Sequence, residues 1–205
     1  MVSLLISQRI WKRGGPLNYP LISIILRYVW TATEIYIAIA TRTRRSGGQV
    51  RDRGSMLILW VTIVGSITAA EFVRRMTSFP TFPGFHELRL VAVLLMVAGL
   101  ALRWTAFFSL GKAFSANVAI RDTQTLNRSG LYAVVRHPSY AGLLIIFLAI
   151  ALAEKNWLSA AIVFIFPTVA LLYRIHVEEI ALREAFGDQY VDYSRTTKRL
   201  IPGIY

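Results

Sequence analysis

Five long apolar stretches constrain this chain more than any other feature of its sequence. They cover 17–40, 56–73, 88–110, 139–153 and 157–173. An α-helix rises 1.5 Å per residue, so about 20 residues cross the ~30 Å hydrocarbon core of a bilayer. The runs are too long and uniform for strands, and a backbone in lipid must satisfy its own hydrogen bonds. The sequence therefore predicts an all-α integral membrane protein with about five transmembrane helices.

The last two apolar stretches are shorter than the first three. Only Glu154, Lys155 and Asn156 separate them. The 15 residues of 139–153 would rise only about 22 Å as a helix. We therefore expect a short helical hairpin that is shallow in the bilayer or buried against the other helices. Two buried helices of a soluble core are the alternative.

The composition narrows the class of protein further. Hydrophobic residues make up 55% and charged residues 17%, whereas water-soluble domains carry about a quarter charged residues. The net charge of +12 is compatible with nucleic acid, but with this hydropathy it favours basic loops at a membrane. The absence of cysteine excludes disulfides, thiolate metal sites and cysteine nucleophiles. The three histidines are dispersed, so we predict no metal site.

The basic residues also predict an orientation. When Arg27 and Arg103 are set aside, 14 of the lysines and arginines fall on one side of the predicted topology and seven on the other. Cytoplasmic loops carry the excess of Lys and Arg in membrane proteins. The N-terminus is therefore predicted outside, and the two long polar segments, 111–138 and 174–205, are predicted on the cytoplasmic face.

The segment GLYAVVRHPSYAG at 130–142 predicts a break in the helical backbone. Pro138 cannot continue a helix from the preceding turn and favours an extended His137. Ser139 is then expected to cap the next helix. Free backbone groups at membrane depth are tolerated where protein or a cavity covers them, and such a cavity would suit a polar cofactor. Alternatively, His137 and Tyr140 are ordinary interfacial residues at a helix start.

Arg174 and Glu178 are predicted to share one face of a helix. They are four residues apart, directly after the last apolar stretch. Facing a pocket, they would suit a substrate carboxylate and a cationic group, respectively. The alternative is a surface ion pair worth a few tenths of a kcal/mol. Glu179 lies roughly 100° away around the helix, and we expect it to be the solvated residue of the two glutamates.

Three segments resemble the isoprenylcysteine carboxyl methyltransferase family, part of a wider group that includes membrane phospholipid methyltransferases. They are TLNRSGLYAVVRHPSYAG at 125–142, EEIALREAFGDQYVDY at 178–193 and RLIP at 199–202. The resemblance implies S-adenosylmethionine as methyl donor and an α-helical membrane fold without a Rossmann domain. It also implies one domain, 1–205, with a three-helix membrane part at 1–110 and a cofactor-binding catalytic part at 111–205.

The resemblance places the site residues by position in the motifs. Arg174 is implied to bind the substrate carboxylate, and Arg174 and Glu178 are the implied catalytic residues. The implied cofactor contacts are Gln124, Thr125, Leu126, Asn127, Tyr132, His137, Pro138, Ser139, Tyr140 and Glu178. The chain departs from the family at Gln124, where histidine is frequent, and at Asn127, where valine is frequent. The segment 115–121 also lacks the glutamine that some members use.

The expected reaction is methyl transfer from S-adenosylmethionine to the C-terminal carboxylate of a prenylated cysteine or a similar lipidic carboxylate. Such a carboxylate is ionised at pH 7, so catalysis would rest on orientation. A phospholipid amine or a lipidic phenol is the alternative acceptor, and a non-catalytic membrane scaffold is the alternative from another class. The expected partners are an amphiphilic substrate and membrane lipid. The expected location is a prokaryotic cytoplasmic membrane, or the endoplasmic reticulum of a eukaryote.

Arg27, Glu34 and Arg103 are charged residues that lie well inside the apolar stretches. Charges are costly in lipid and usually face protein or water. They either support the site from behind, line a lipid entry path, or extend their charged ends to the membrane boundary. The sequence leaves these alternatives open.

Overall fold

The computed structural model describes residues 18–40, 48–50, 54–76, 85–110, 119–121, 126–154 and 156–205. Within these ranges the chain is almost entirely helical. The helices are α1 (Tyr19–Ala40), α2 (Ser55–Met76), α3 (Phe85–Leu110), α4 (Leu131–Val134), α5 (Pro138–Leu152), α6 (Trp157–Phe186) and α7 (Asp188–Thr196). Two three-residue strands, β1 (Gly48–Val50) and β2 (Ala119–Arg121), pair antiparallel.

Four helices are long and apolar enough to cross a membrane. They are α1, α2, the part of α3 from Leu88 to Leu110, and α6, while α5 is a shorter apolar helix. Their outward side chains are large and hydrophobic, as Ile39 and Leu57 show with exposures of 72% and 68%. Exposed apolar surface of this extent suits a lipid environment. The predicted all-α integral membrane fold is confirmed.

The prediction that both hairpin helices are short is wrong for α6. Helix α5 has 15 residues, but α6 has 30 and extends from Trp157 to Phe186, well beyond the apolar stretch. Helix ends are set by caps rather than by hydropathy. At the start of α6, the Asn156 side chain accepts a hydrogen bond of 2.8 Å from the Ser159 amide. At its end, Gly187 adopts a φ of +53°.

The helices pack in two tight pairs, α3 with α5 and α2 with α6, and α5 also packs on α6. At the α3–α5 crossing the two backbones touch. A Cβ on Gly142 would lie 2.8 Å from the Gly99 carbonyl oxygen and 2.9 Å from the Arg103 amide nitrogen. Only glycine permits this approach. The crossing brings Arg103 on α3 next to Ser139 on α5.

The C-terminal segment packs beneath the backbone break. Val135 and Lys198 form a parallel β-bridge. The amide of Arg136 donates to the Lys198 carbonyl at 2.7 Å, and the amide of His137 donates to the Arg199 carbonyl at 3.0 Å. We call residues 197–205 the C-terminal strap. It satisfies backbone donors that a broken helix would otherwise leave open.

Candidate functional site

The backbone break lies at His137, one residue before α5. His137 has φ −125° and ψ 59°, and its carbonyl accepts hydrogen bonds from the amides of Tyr140 and Ala141, both at 3.0 Å. The expectation that Ser139 caps this helix is wrong. Pro138 occupies the first helical position, which suits its fixed φ and missing N–H, so the cap residue is His137.

Tyr140 connects the two residues that the spacing placed on one helical face. Its hydroxyl donates a hydrogen bond of 2.7 Å to Oε2 of Glu178 and accepts one of 3.3 Å from Nε of Arg174. Arg174 is only 1% exposed, and its Nη1 donates to Ser55 Oγ at 2.6 Å. Arg174 is therefore buried and held by neighbouring helices, which is incompatible with the alternative of a surface ion pair.

A narrow pocket lies between helices α1 and α2 on one side and the side chains of Arg174 and Tyr140 on the other. Its walls are mostly apolar, and its lining residues are Trp30, Glu34, Ile37, Ala38, Met56, Leu59, Trp60, Ile63, Arg103, Tyr140, Leu143 and Arg174. The free volume is about 30 Å³, room for about two or three water molecules. An acyl or prenyl chain must therefore displace side chains to enter. The pocket combines mostly apolar walls with a buried cation in its lining.

Glu179 is buried, contrary to the expectation that it is solvated. It is 3% exposed and accepts hydrogen bonds from Arg136, at 2.9 and 3.0 Å, and from Arg199 Nε at 2.9 Å. The C-terminal strap and the segment before α5 cover this side of α6. Glu178 and Glu179 differ in direction around the helix as expected. Glu179 is nevertheless buried, because these other parts of the chain cover its side of α6. The hydrogen bond to Glu179 raises the pKa of Arg199, which stays charged.

The imidazole ring of His137 lies between the Tyr140 ring and the Glu179 carboxylate. His137 is 5% exposed and stacks on Tyr140, with 5.6 Å between the ring centroids. Its Nε2 lies 3.5 Å from Glu179 Oε1 and has no hydrogen-bond partner among the residues that the structure describes. A buried imidazole nitrogen without a partner is costly. It marks a place where a polar ligand would be stabilised.

The other residues that are predicted to contact the cofactor do not form a single cluster. Tyr132 is 6% exposed and donates to the Ala106 carbonyl at 3.3 Å, and burial raises the pKa of its phenol, so it stays neutral. Leu126 is partly buried, and Asn127 Oδ1 accepts from the Ser129 amide at 3.0 Å. Pro138 is buried at the start of α5. Gln124 and Thr125 lie outside the described residues.

The intramembrane charges form two ion pairs at different levels of the bundle. Glu34 accepts two hydrogen bonds from Arg103, and both residues are buried. Arg27 pairs with Glu154 at 3.2 Å in the turn between α5 and α6. Glu34 and Arg103 both line the pocket and are buried, which excludes for them the alternative of charged ends that extend to the membrane boundary. Their rarity inside apolar helices was the signal that singled them out.

The remaining site residues carried no such signal. Ser55 contacts Arg174, and Arg136 contacts Glu179, only through tertiary packing, and neither contact could be read from the sequence. Among the described residues, no group of three His, Asp or Glu side chains is placed to hold a metal ion.

The fold and site define a class: an α-helical membrane protein whose buried Arg–Tyr–Glu cluster adjoins a broken backbone. Residues 91–184 match the family model described as the isoprenylcysteine carboxyl methyltransferase (ICMT) family. The match covers a little under half of the chain and confirms the resemblance found in the sequence. It also supports the prediction of a methyltransferase.

Curated relatives carry the same family name. Protein-S-isoprenylcysteine O-methyltransferase B of Arabidopsis thaliana is 28% identical over 66% of this chain and 70% of its own length. The Mus musculus protein-S-isoprenylcysteine O-methyltransferase is 29% identical over 70% of this chain. A probable protein-S-isoprenylcysteine O-methyltransferase of Oryza sativa subsp. indica is 24% identical over 86% of this chain and 92% of its own length. The chain spans about half the length of the mouse protein.

Proposed function

We propose that the protein transfers a methyl group from S-adenosylmethionine to a carboxylate on an amphiphilic acceptor. The leading acceptor is the C-terminal carboxylate of a prenylated cysteine, as the relatives' names suggest. One observation carries the proposal: a buried arginine, Arg174, lines a mostly apolar pocket bordered by α1 and α2. An isoprenyl or acyl chain suits the walls, and a carboxylate suits the arginine.

The roles of the surrounding groups follow from their positions. Arg174 binds the carboxylate, for which a planar guanidinium is better suited than an ammonium group. The hydroxyl of Tyr140 orients Arg174 through the 3.3 Å hydrogen bond to its Nε. An anionic acceptor is thereby favoured over a phospholipid amine, which a buried cation would repel.

The chemistry of the donor set fits the cofactor. S-adenosylmethionine supplies a methyl group on a sulfonium, together with an ammonium and a carboxylate. Glu178 offers a carboxylate for a cationic part, and His137 Nε2, which lies 3.5 Å from Glu179 Oε1, offers a further polar contact at the backbone break. Pro138 and Tyr140 border the same break, and Gln124, Thr125, Leu126, Asn127 and Tyr132 complete the proposed binding segment.

Catalysis in this site is a matter of positioning. A carboxylate is already ionised, so the protein need not remove a proton from it. Fixing two reactants in alignment is worth up to about 7–11 kcal/mol. Arg174 is held by Ser55 and Tyr140, and burial among α2, α5 and α6 keeps water away from the reacting groups.

The test is methyl transfer from radiolabelled S-adenosylmethionine by protein in lipid nanodiscs. A prenylcysteine analogue is compared with a phospholipid amine and a lipidic phenol. Base-labile label on the prenylcysteine, lost with Arg174→Lys while cofactor binding persists, is the expected result. Label on the amine or the phenol alone would discard the carboxylate acceptor. Folded protein that binds no cofactor would instead favour the membrane scaffold.

We further propose that the site faces the cytoplasm, because the 14 basic residues outnumber the seven on the other side. The chain contains no cysteine, so single introduced cysteines report orientation directly. In inside-out vesicles an impermeant maleimide should label Asp188→Cys and leave Arg75→Cys unlabelled. The opposite pattern would reverse the orientation.

A further inference from the structure

A buried polar network connects α1, α3 and α5 directly behind Tyr140. Arg103 Nη2 donates to Glu34 Oε2 at 2.5 Å, and its Nε donates to Glu34 Oε1. Its Nη1 donates to the hydroxyl of Ser139 at 2.8 Å and to the Ser139 carbonyl at 3.3 Å. Trp30 Nε1 donates to Glu34 Oε1 at 3.1 Å. All three side-chain nitrogens of Arg103 are engaged within the protein.

Because all three of its side-chain nitrogens are hydrogen-bonded within the protein, the structure assigns Arg103 a role that it performs through neighbouring residues. A guanidinium whose nitrogens are all engaged is a poor ligand for a substrate carboxylate. Burying an ion pair at membrane depth is costly, because both charges lose their hydration. The mutual attraction and hydrogen bonds of the pair must compensate for this loss. Ser139, implied by the resemblance to contact the cofactor, is buried, and its hydroxyl oxygen accepts a hydrogen bond from Arg103.

The network connects the pocket wall to the backbone break. Glu34 and Arg103 both line the pocket, and Ser139 lies in the first turn of α5 beside Tyr140. The contact of Gly99 with Gly142 fixes the distance between α3 and α5 one turn away. A shift of Glu34 on α1 therefore changes the position of the helix start that carries Tyr140.

We infer that Glu34 and Arg103 form a positioning pair that holds Ser139 and the start of α5, so that Tyr140 keeps Arg174 aligned for methyl transfer. The inference rests on the proposed function, because alignment matters only if Arg174 binds the acceptor. The polar atoms of the pair are engaged with each other, with Trp30 and with Ser139, so the pair offers the acceptor's carboxylate no free donor. Loss of the pair lowers turnover more than it weakens binding of the acceptor.

The test compares two variants, each of which neutralises one ion pair that has a member on helix α1. The Glu34→Gln/Arg103→Gln variant removes the charges together, which avoids leaving one buried charge unpaired. The Arg27→Gln/Glu154→Gln variant neutralises the pair that lies nearer the N-terminal end of α1, and it is the matched control. Arg103→Lys is the second variant. It keeps the charge and supports folding, but a single ammonium cannot reproduce the planar contacts to Glu34 and Ser139.

Two readouts separate positioning from general stability. We expect kcat to fall about tenfold in both Arg103 variants, with the acceptor KM changed less than about threefold, while the control retains both. We also expect faster deuterium uptake at the amides of Tyr140 and Ala141, which donate to the His137 carbonyl. Adding Ser139→Ala to Arg103→Lys should cause little further loss, because both act through one contact.

The outcomes are distinguishable. Unchanged exchange at these amides, or losses equal to those of the control, would overturn the positioning role. A kcat like that of the unmodified protein, with exchange altered, would also overturn it, because the contact would then have no effect on turnover. If the unmodified protein methylates no carboxylate acceptor, the proposed function fails instead, and the exchange data still show whether the pair orders the start of α5.

Discussion

Tyr140 on α5 donates a hydrogen bond of 2.7 Å to Glu178 on α6, across the interface of two membrane helices. The same hydroxyl accepts from Arg174, so a single phenol contacts both residues of the proposed catalytic pair. A hydrogen bond to a charged group contributes about 1.5–3 kcal/mol. The phenol therefore orders a cation and an anion that lie one turn apart on α6.

Replacing Tyr140 by phenylalanine tests this arrangement. The ring and its stacking on His137 remain, but both hydrogen bonds are lost. We expect kcat/KM for the acceptor to fall roughly 10- to 100-fold, because each 1.4 kcal/mol is a factor of ten. Steady-state kinetics measures it, with Tyr28→Phe as control because Tyr28 is 73% exposed. Equal activities of the two variants would remove the Tyr140 hydroxyl from the mechanism.

Glu178→Gln is expected to weaken cofactor binding about tenfold while the protein stays folded. The amide preserves a hydrogen-bonding partner for Tyr140, but the charge that would hold a cationic group is gone. Isothermal titration with S-adenosylmethionine checks this without any turnover. Glu184→Gln, at an exposed position of the same helix, is the control. If the two variants bind the cofactor equally well, Glu178 does not contact it.

Hydropathy and spacing were sufficient to predict the membrane helices and the shared face of Arg174 and Glu178. Both depend on local sequence, through the length of apolar runs and the helical repeat. The pairing of Glu34 with Arg103 could not be predicted, because 69 residues separate the two and only tertiary packing joins them. The prediction that Glu179 is solvated was wrong for a related reason. The angle of a residue around its helix says nothing about which other segment of the chain covers that face of the helix.

Glu179 is expected to matter for stability rather than for methyl transfer. Its carboxylate lies between Arg136 and Arg199, so Glu179→Gln leaves two guanidinium groups without their counter-charge. Breaking a buried pair from one side costs about 3–5 kcal/mol. The variant should melt at a lower temperature in a thermal shift assay and lose its C-terminal strap faster under limited proteolysis. Melting and cleavage like those of Glu184→Gln would contradict this role.

Gly142→Ala should destabilise the protein because the α3–α5 crossing has no room for a methyl group. The added carbon would lie 2.8 Å from the Gly99 carbonyl oxygen, which is backbone and cannot rotate away. Overpacking of this kind costs about 1–3 kcal/mol. Gly65→Ala on α2 is the matched control, since nothing lies within 4 Å of the added carbon there.

The two glycine variants also separate helix propensity from packing. Alanine favours a helix over glycine by about 1 kcal/mol at either position, so Gly65→Ala should raise the melting temperature slightly. Gly142→Ala should lower it despite the same gain. It should also lower kcat, because the clash with the Arg103 amide displaces the helix that carries the contact to Ser139. A Gly142→Ala protein as stable and as active as Gly65→Ala would show that the α3–α5 crossing has more space than the backbone contact indicates.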